Sequence, residues 1–124
     1  MLPSLSSLDQ IATAIDNART ANKLLLLKFG AKWCKPCKMI APVTQRLVEN
    51  NSSTLQGFEV DVDEVKEALV QFNVSSLPTF LLIFNGNVIS FWTGADNQAL
   101  EDHIYPEIDK LLHRLSQAAE AKQN

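Results

Sequence analysis

The sequence predicts an α/β fold, a mixed central sheet with helices on both faces. Three observations carry that expectation. The apolar run KLLLLKFGA (23–31) is too short for a helix and apolar on both sides, as a strand at the centre of a sheet is. The runs TFLLIF (79–84) and VISFWT (88–93), separated by Asn-Gly-Asn, form a strong hairpin signal. Helical periodicity between the earlier strands implies right-handed crossovers, hence parallel pairing there and antiparallel pairing in the hairpin.

Taken in order, Leu8 to Thr20 places Leu8, Ile11, Ala12, Ile15 and Ala18 on one helical face, with Ser6 or Ser7 as cap and Asp9 in the first turn. The apolar strand follows. Helical pattern resumes near Pro36 and runs to Glu49, with Met39, Ile40, Val43 and Leu47 on one side. After the polar loop NNSST (50–54), LQGFEVDV (55–62) reads as a strand, then Glu64 to Phe72 as a short helix and NVSS as a turn. The hairpin comes next, and a long helical region runs from near Asp96 to Ala119. The expected order is α, β, α, β, α, β, β, α. In the last region Pro106 is expected to break or kink the helix and start a new segment. Ile108, Leu111, Leu112 and Leu115 then form an apolar stripe, expected to pack on the sheet or, as the alternative, to make a dimer contact. Fraying is expected after Ser116. One domain over 1–112 and a helical extension and tail over 113–124 account for the chain, with no internal repeat.

With 124 residues, 46% hydrophobic and 20% charged, the chain has the composition of a folded globular domain. A net charge of −3 argues against nucleic-acid binding, which needs a basic face. The longest uncharged apolar cluster, Leu24 to Leu27, is far below membrane-spanning length. The opening MLPSLSSLDQ lacks the basic and apolar regions of a secretory signal, and no arginine precedes Arg19. A cytoplasmic location is the expectation, and a mature organellar protein, such as a mitochondrial one, would read the same.

The chemistry concentrates in KWCKPCK (32–38), which holds both cysteines of the chain. Cys34 falls between a strand and a helix, with Pro36 early in that helix where a missing N–H costs little. The free N–H groups and dipole at that helix end stabilise a Cys34 thiolate. Cys37 follows one turn later, placed to attack a mixed disulfide formed on Cys34. Lys35 and Lys38 add positive charge, and Trp33 offers a flat apolar surface to the sulfur or to a partner chain. A structural zinc site needs four ligands, and no other cysteine exists to complete one. His103 and His113 have the wrong spacing and read as exposed or interfacial helix residues, so no metal site is expected. Two inert core cysteines are the remaining alternative, a poor account of Trp-Cys-x-Pro-Cys at a strand-to-helix junction.

From about Leu8 to Lys110 the chain resembles the thioredoxin family. KWCKPCKMIAP (32–42) resembles the family's active-site motif and the proline-containing helix after it; EVDVDE (59–64) resembles its third strand. SSLPTF (75–80) resembles the segment with the family's cis-proline, here Pro78, and Asn85-Gly86 and Gly94 stand where the family has such residues. The resemblance implies a thioredoxin-like three-layer sandwich with an extended C-terminal helix. It implies Cys34 as nucleophile, Cys37 as resolving thiol, and a substrate surface of Leu77, Pro78, Trp33 and Gly94. It also implies reduction of disulfide-containing client proteins, regeneration by thioredoxin reductase or an equivalent, no bound cofactor, and a monomer. A thioredoxin-fold binding or assembly subunit with incidental redox activity is the rival reading.

Lys28 is the main departure from the family, which typically carries a buried aspartate there that helps deprotonate the resolving cysteine. Three readings are open: a snorkelling lysine, a charge-swapped pair with Glu59 (where the family often has lysine), or a neutral amine able to accept the Cys37 proton. A cation at that position is expected to stabilise the Cys37 thiolate. Lys35 stands where most thioredoxins have glycine, and is expected to stabilise the reduced, thiolate form and make the pair somewhat less reducing. Gly30 replaces a larger residue, so a more open surface is expected beside the cysteines.

Overall fold

Strand β2 (Leu24–Gly30) is the centre of the molecule and shows why the sequence needs helices on both faces. Every residue of it but Gly30 is buried. The computed structural model describes residues 2–123. Five strands lie in the order β1-β3-β2-β4-β5, with β1 at Ser4–Leu5, β3 at Leu55–Asp61, β4 at Thr79–Phe84 and β5 at Asn87–Thr93. β1, β3 and β2 run parallel; β4 and β5 pair antiparallel, so the sheet is mixed, as expected.

The pleat of β2 sends alternate side chains to opposite layers. Leu25, Leu27 and Phe29 pack with Ile11, Ala14 and Ala18 of α1 (Leu8–Thr20) and Ala68 of α3 (Glu67–Gln71). Leu24 and Leu26 face the other way, against Ile40 and Leu47 of α2 (Lys35–Asn50) and Leu100 and Ile104 of α4 (Asn97–Gln123). Each fully buried leucine contributes about 2 kcal/mol of hydrophobic stabilisation, so the four in β2 anchor both layers at once. On the α4 side, Phe80 stacks on Trp92 at 5.2 Å and Trp92 on His103 at 4.2 Å. The Ser90 hydroxyl and His103 Nδ1 lie 2.6 Å apart, which makes His103 an interfacial helix residue.

Local signals explain the element ends. Ser7 caps α1, its hydroxyl accepting from the Gln10 N–H at 3.0 Å. Asn85 and Gly86, with φ of 52° and 82°, make the two-residue hairpin turn, and Asn87 belongs to β5.

The structure corrects several expectations. Strand β1 precedes the first helix and was not expected, because two residues carry no periodicity and only the pairing of Ser4 with Glu59 and of Leu5 with Val60 defines them. Helix α3 starts at Glu67 rather than Glu64: the Asp61 carboxylate accepts the Asp63 N–H at 2.9 Å and holds that stretch as a turn. Ala12 is exposed and Ala14 takes the inward place; Met39, expected on one side of α2 with the buried Ile40 and Leu47, is 71% exposed. Pro106 starts no new segment, since α4 runs through it to Gln123, also beyond the fraying expected at Ser116. Ile104 before it and Ile108 after it pack into the same core, and that shared burial holds the helix together across the missing N–H. The apolar stripe divides: Ile108 and Leu111 are buried, whereas Leu112 and Leu115 are 49% and 39% exposed. Among the described residues no helix is long and apolar enough to cross a membrane.

Candidate active site

Strand β2 ends at Gly30, and the chain turns through Ala31 to Trp33 directly into α2. Cys34 is the N-cap of that helix, in extended conformation, its N–H donating to the Ala31 carbonyl at 3.1 Å. Its Sγ accepts from the Cys37 N–H at 3.2 Å, so a sulfur occupies the place a capping oxygen usually takes. Pro36 lies in the first turn, where helices tolerate proline best. Cys34 and Cys37 are joined in a disulfide with Cα atoms 5.3 Å apart, and both are buried.

An open groove of ≈ 620 Å³ lies on the Cys34 side, lined by Trp33, Cys34, Pro36, Lys66, Ser76 and Leu77 among others. Lys35 also lines it and is exposed. Trp33 is 69% exposed yet fixed, because its indole N–H donates to Asp63 Oδ2 at 2.8 Å. Leu77–Pro78 is a cis peptide. The Pro78 carbonyl accepts from the Gly94 N–H at 2.9 Å, tying this loop to the end of β5. Gly94 has φ +101°, a conformation that a side chain would strain, so glycine is required at that tie.

A second cavity, ≈ 440 Å³, lies on the Cys37 side and contains Lys28, Gly30, Cys37 and Glu59 in its wall. Lys28 and Glu59 are register partners on β2 and β3. The Lys28 ammonium donates to the Cys37 carbonyl at 2.9 Å and to Glu59 Oε1 at 3.3 Å. Its side chain is 4% exposed against 22% for Glu59, so the head does not snorkel to water; it is paired. A Cβ built on Gly30 would stand 3.2 Å from Cys37 Sγ, so the missing side chain leaves that sulfur bordering the cavity.

The structure therefore gathers the expected residues into two groups, one on each side of the disulfide. Trp33, Cys34, Lys35, Pro36 and Leu77 share the outer groove, and Pro78, next to Leu77, is hydrogen-bonded to Gly94; Lys28, Glu59 and Cys37 share the inner cavity. Sequence reasoning missed Asp63, Lys66 and Ser76. The acidic run at 59–64 was visible, but nothing local marks Asp63 as the partner of Trp33, thirty positions away. Among the described residues, no group of three or more His, Cys, Asp or Glu could hold a metal ion.

A cystine with one sulfur at a helix N-terminus beside an open groove, and the other behind it, defines a protein of dithiol–disulfide exchange. The Thioredoxin family profile matches residues 9–115. Thioredoxin H4 of Arabidopsis thaliana is 39% identical over 90 residues, covering 73% of this chain and 76% of that protein. Thioredoxin-T of Drosophila melanogaster is 39% identical over 79 residues, 64% of this chain, which thus spans about half (50%) of that longer protein. The solved structure of Fasciola hepatica thioredoxin superposes with a TM-score of 0.79 at 28% identity, over 85% of this chain and 98% of that one. The chain belongs to the thioredoxin family. Its fold is the thioredoxin fold with a long C-terminal helix, and its Cys34–Cys37 pair performs thiol–disulfide exchange.

Proposed function

We propose that the chain works as a reductant of client-protein disulfides, with Cys34 as nucleophile and Cys37 as resolving thiol. The observation that carries this reading is the position of Cys34: the N-cap of α2, in the wall of the groove that Trp33 and Leu77 also line. The helix end favours the Cys34 thiolate. That thiolate attacks a client disulfide, forming a mixed disulfide and releasing one client thiolate. Cys37 then attacks Cys34 Sγ, releasing the second, so two electrons pass to the client and the pair is left oxidised. A thioredoxin reductase or equivalent thiol donor returns two electrons to the Cys34–Cys37 disulfide. An extended client segment fits beside Leu77 and the cis Pro78, whose loop the Gly94 hydrogen bond holds in place. Lys35 and Lys66 give the groove rim a cationic character and favour the thiolate form of the pair. The working setting is a reducing compartment, the cytoplasm, where such a protein contributes to redox homeostasis by electron transport to clients.

Insulin reduction driven by a thioredoxin reductase tests the reading. Turnover is expected from the native chain and none from Cys34→Ser, while Cys37→Ser should accumulate covalent mixed disulfides with clients. A stable complex with a partner that persists in Cys34→Ser, with no insulin turnover by the native chain, would overturn it in favour of an assembly role.

A further inference from the structure

The inner cavity holds a charge that the exchange reaction does not require. Lys28 is 3% exposed, and an ammonium taken that far out of water costs several kcal/mol unless the site compensates it. Its compensation is specific: the carbonyl of Cys37 itself at 2.9 Å, and Glu59 at 3.3 Å. The β2 pleat puts Lys28 and Gly30 on the same face. Through Gly30 that face meets Cys37 Sγ, and through Lys28 it meets the Cys37 carbonyl. The strand thus addresses both ends of the resolving cysteine.

We propose that Lys28 is a positioning residue for the resolving step, its ammonium anchoring Cys37 by the carbonyl and stabilising the Cys37 thiolate from the inner side. The proposal rests on the reading that Cys37 resolves a mixed disulfide on Cys34. In that step the Cys37 thiol releases its proton to solvent through the cavity beside Gly30. The thiolate attacks Cys34 Sγ; the Cys34–client S–S bond breaks, the Cys34–Cys37 bond forms, and the client leaves as a thiolate that takes up a proton. The client sulfur is reduced and the Cys37 sulfur oxidised, while the Cys34 sulfur stays at the disulfide level and only exchanges partners.

Charged groups line this cavity from each neighbouring element: Lys28 of β2, Lys32 of the following loop, Lys38 of α2, Glu59 and Asp61 of β3, and Glu64 of the next turn. Lys32, Lys38 and Glu64 are exposed and screened by solvent and salt. Asp61 and Glu59 are partly exposed; of the ion pair, Glu59 is the better solvated partner. Lys28 is the buried member of the set, so its charge acts through the lower local dielectric and has the larger effect at Cys37.

The test uses the full chain carrying Cys34→Ser, in which Cys37 is the sole thiol. Its thiolate is titrated by ultraviolet absorbance with the native Lys28–Glu59 pair, with Lys28→Gln, and with the reversed pair Lys28→Glu/Glu59→Lys. Lys28→Gln is expected to raise the midpoint by about one pH unit, the low end of what a nearby opposite charge produces. The reversed pair keeps an ion pair, so the fold is supported, yet it is expected to raise the midpoint further. In the chain with both cysteines, the decay of a mixed disulfide of Cys34 with a small aromatic thiol should slow about threefold at neutral pH in Lys28→Gln, because the roughly tenfold loss of thiolate is partly offset by the greater nucleophilicity of a more basic thiolate. Coincident midpoints in all three proteins, or a fall in the reversed pair, would overturn the proposal and assign the pair a purely structural role. The titration needs no client or reductase, so its failure leaves the disulfide-reductase reading untouched, and failure of insulin reduction leaves the titration interpretable.

Discussion

At the scale of single residues, the redox pair was legible because its chemistry is local. Cys34, Pro36 and Cys37 set cap, first turn and second sulfur within one helical turn, and the structure places all three there. Contacts across the sheet were not legible in the same way. The Trp33–Asp63 hydrogen bond joins the segments that follow β2 and β3, which end side by side at Gly30 and Asp61, and no local pattern encodes that pairing. Gly30 lies between these cases, since its identity was visible but its neighbour was not. A methyl at Gly30 would lie 3.2 Å from Cys37 Sγ and 3.4 Å from Cys37 Cβ. In the disulfide that sulfur is tethered and can give only slightly; as a free thiol it can rotate away. Gly30→Ala is therefore expected to penalise the oxidised form by about 1 kcal/mol, the lower end of overpacking costs. That corresponds to a potential roughly 20 mV less negative. Equilibration of native and variant chains against glutathione buffers measures it, and equal potentials would mean that the sulfur shifts without cost.

Whole elements were legible where a strong local signal and the tertiary environment agreed. The hairpin is the clearest case: Asn85-Gly86 supplies the two positive φ angles that a two-residue turn needs, and the flanking runs are apolar. Strand β1 shows the opposite, because Ser4 and Leu5 become a strand only through β3. Helix α4 shows local and tertiary preferences in conflict. Pro106 disfavours continuity, but Leu100, Ile104, Ile108 and Leu111 bury along one line, and the burial prevails. Half of the apolar stripe beyond Pro106 therefore belongs to the core, and the other half does not. Leu111→Ala is expected to cost about 2–4 kcal/mol of unfolding free energy. Leu115→Ala, 39% exposed, should cost less than about 1 kcal/mol. Urea denaturation of both variants checks the division; similar losses would show Leu115 in a buried contact.

At the scale of the molecule, the layer architecture followed from composition and order, but the character of its outer surface did not. A dimer through Ile108, Leu111, Leu112 and Leu115 loses two of its four members to the core, and Leu112 and Leu115 alone fall far short of the roughly 800 Å² per partner that stable interfaces bury. The more apolar free surface is β5, an edge strand exposing Val88, Ile89 and Phe91 at 51%, 40% and 44%. Such an edge offers unpaired backbone groups beside apolar side chains, and charge repulsion between molecules opposes its pairing. The net charge of −3 supplies that repulsion at neutral pH. Acidification protonates carboxylates and brings the charge toward zero, so the expected behaviour is a monomer at neutral pH that self-associates as the pH falls toward the isoelectric point. Ile89→Thr/Phe91→Thr places a β-branched strand former at both positions and keeps the same net charge while removing the apolar edge. Sedimentation across this pH range should show association in the native chain and much less in the double variant. Equal association in both would place the contact elsewhere, with Leu112 and Leu115 the next surface to alter.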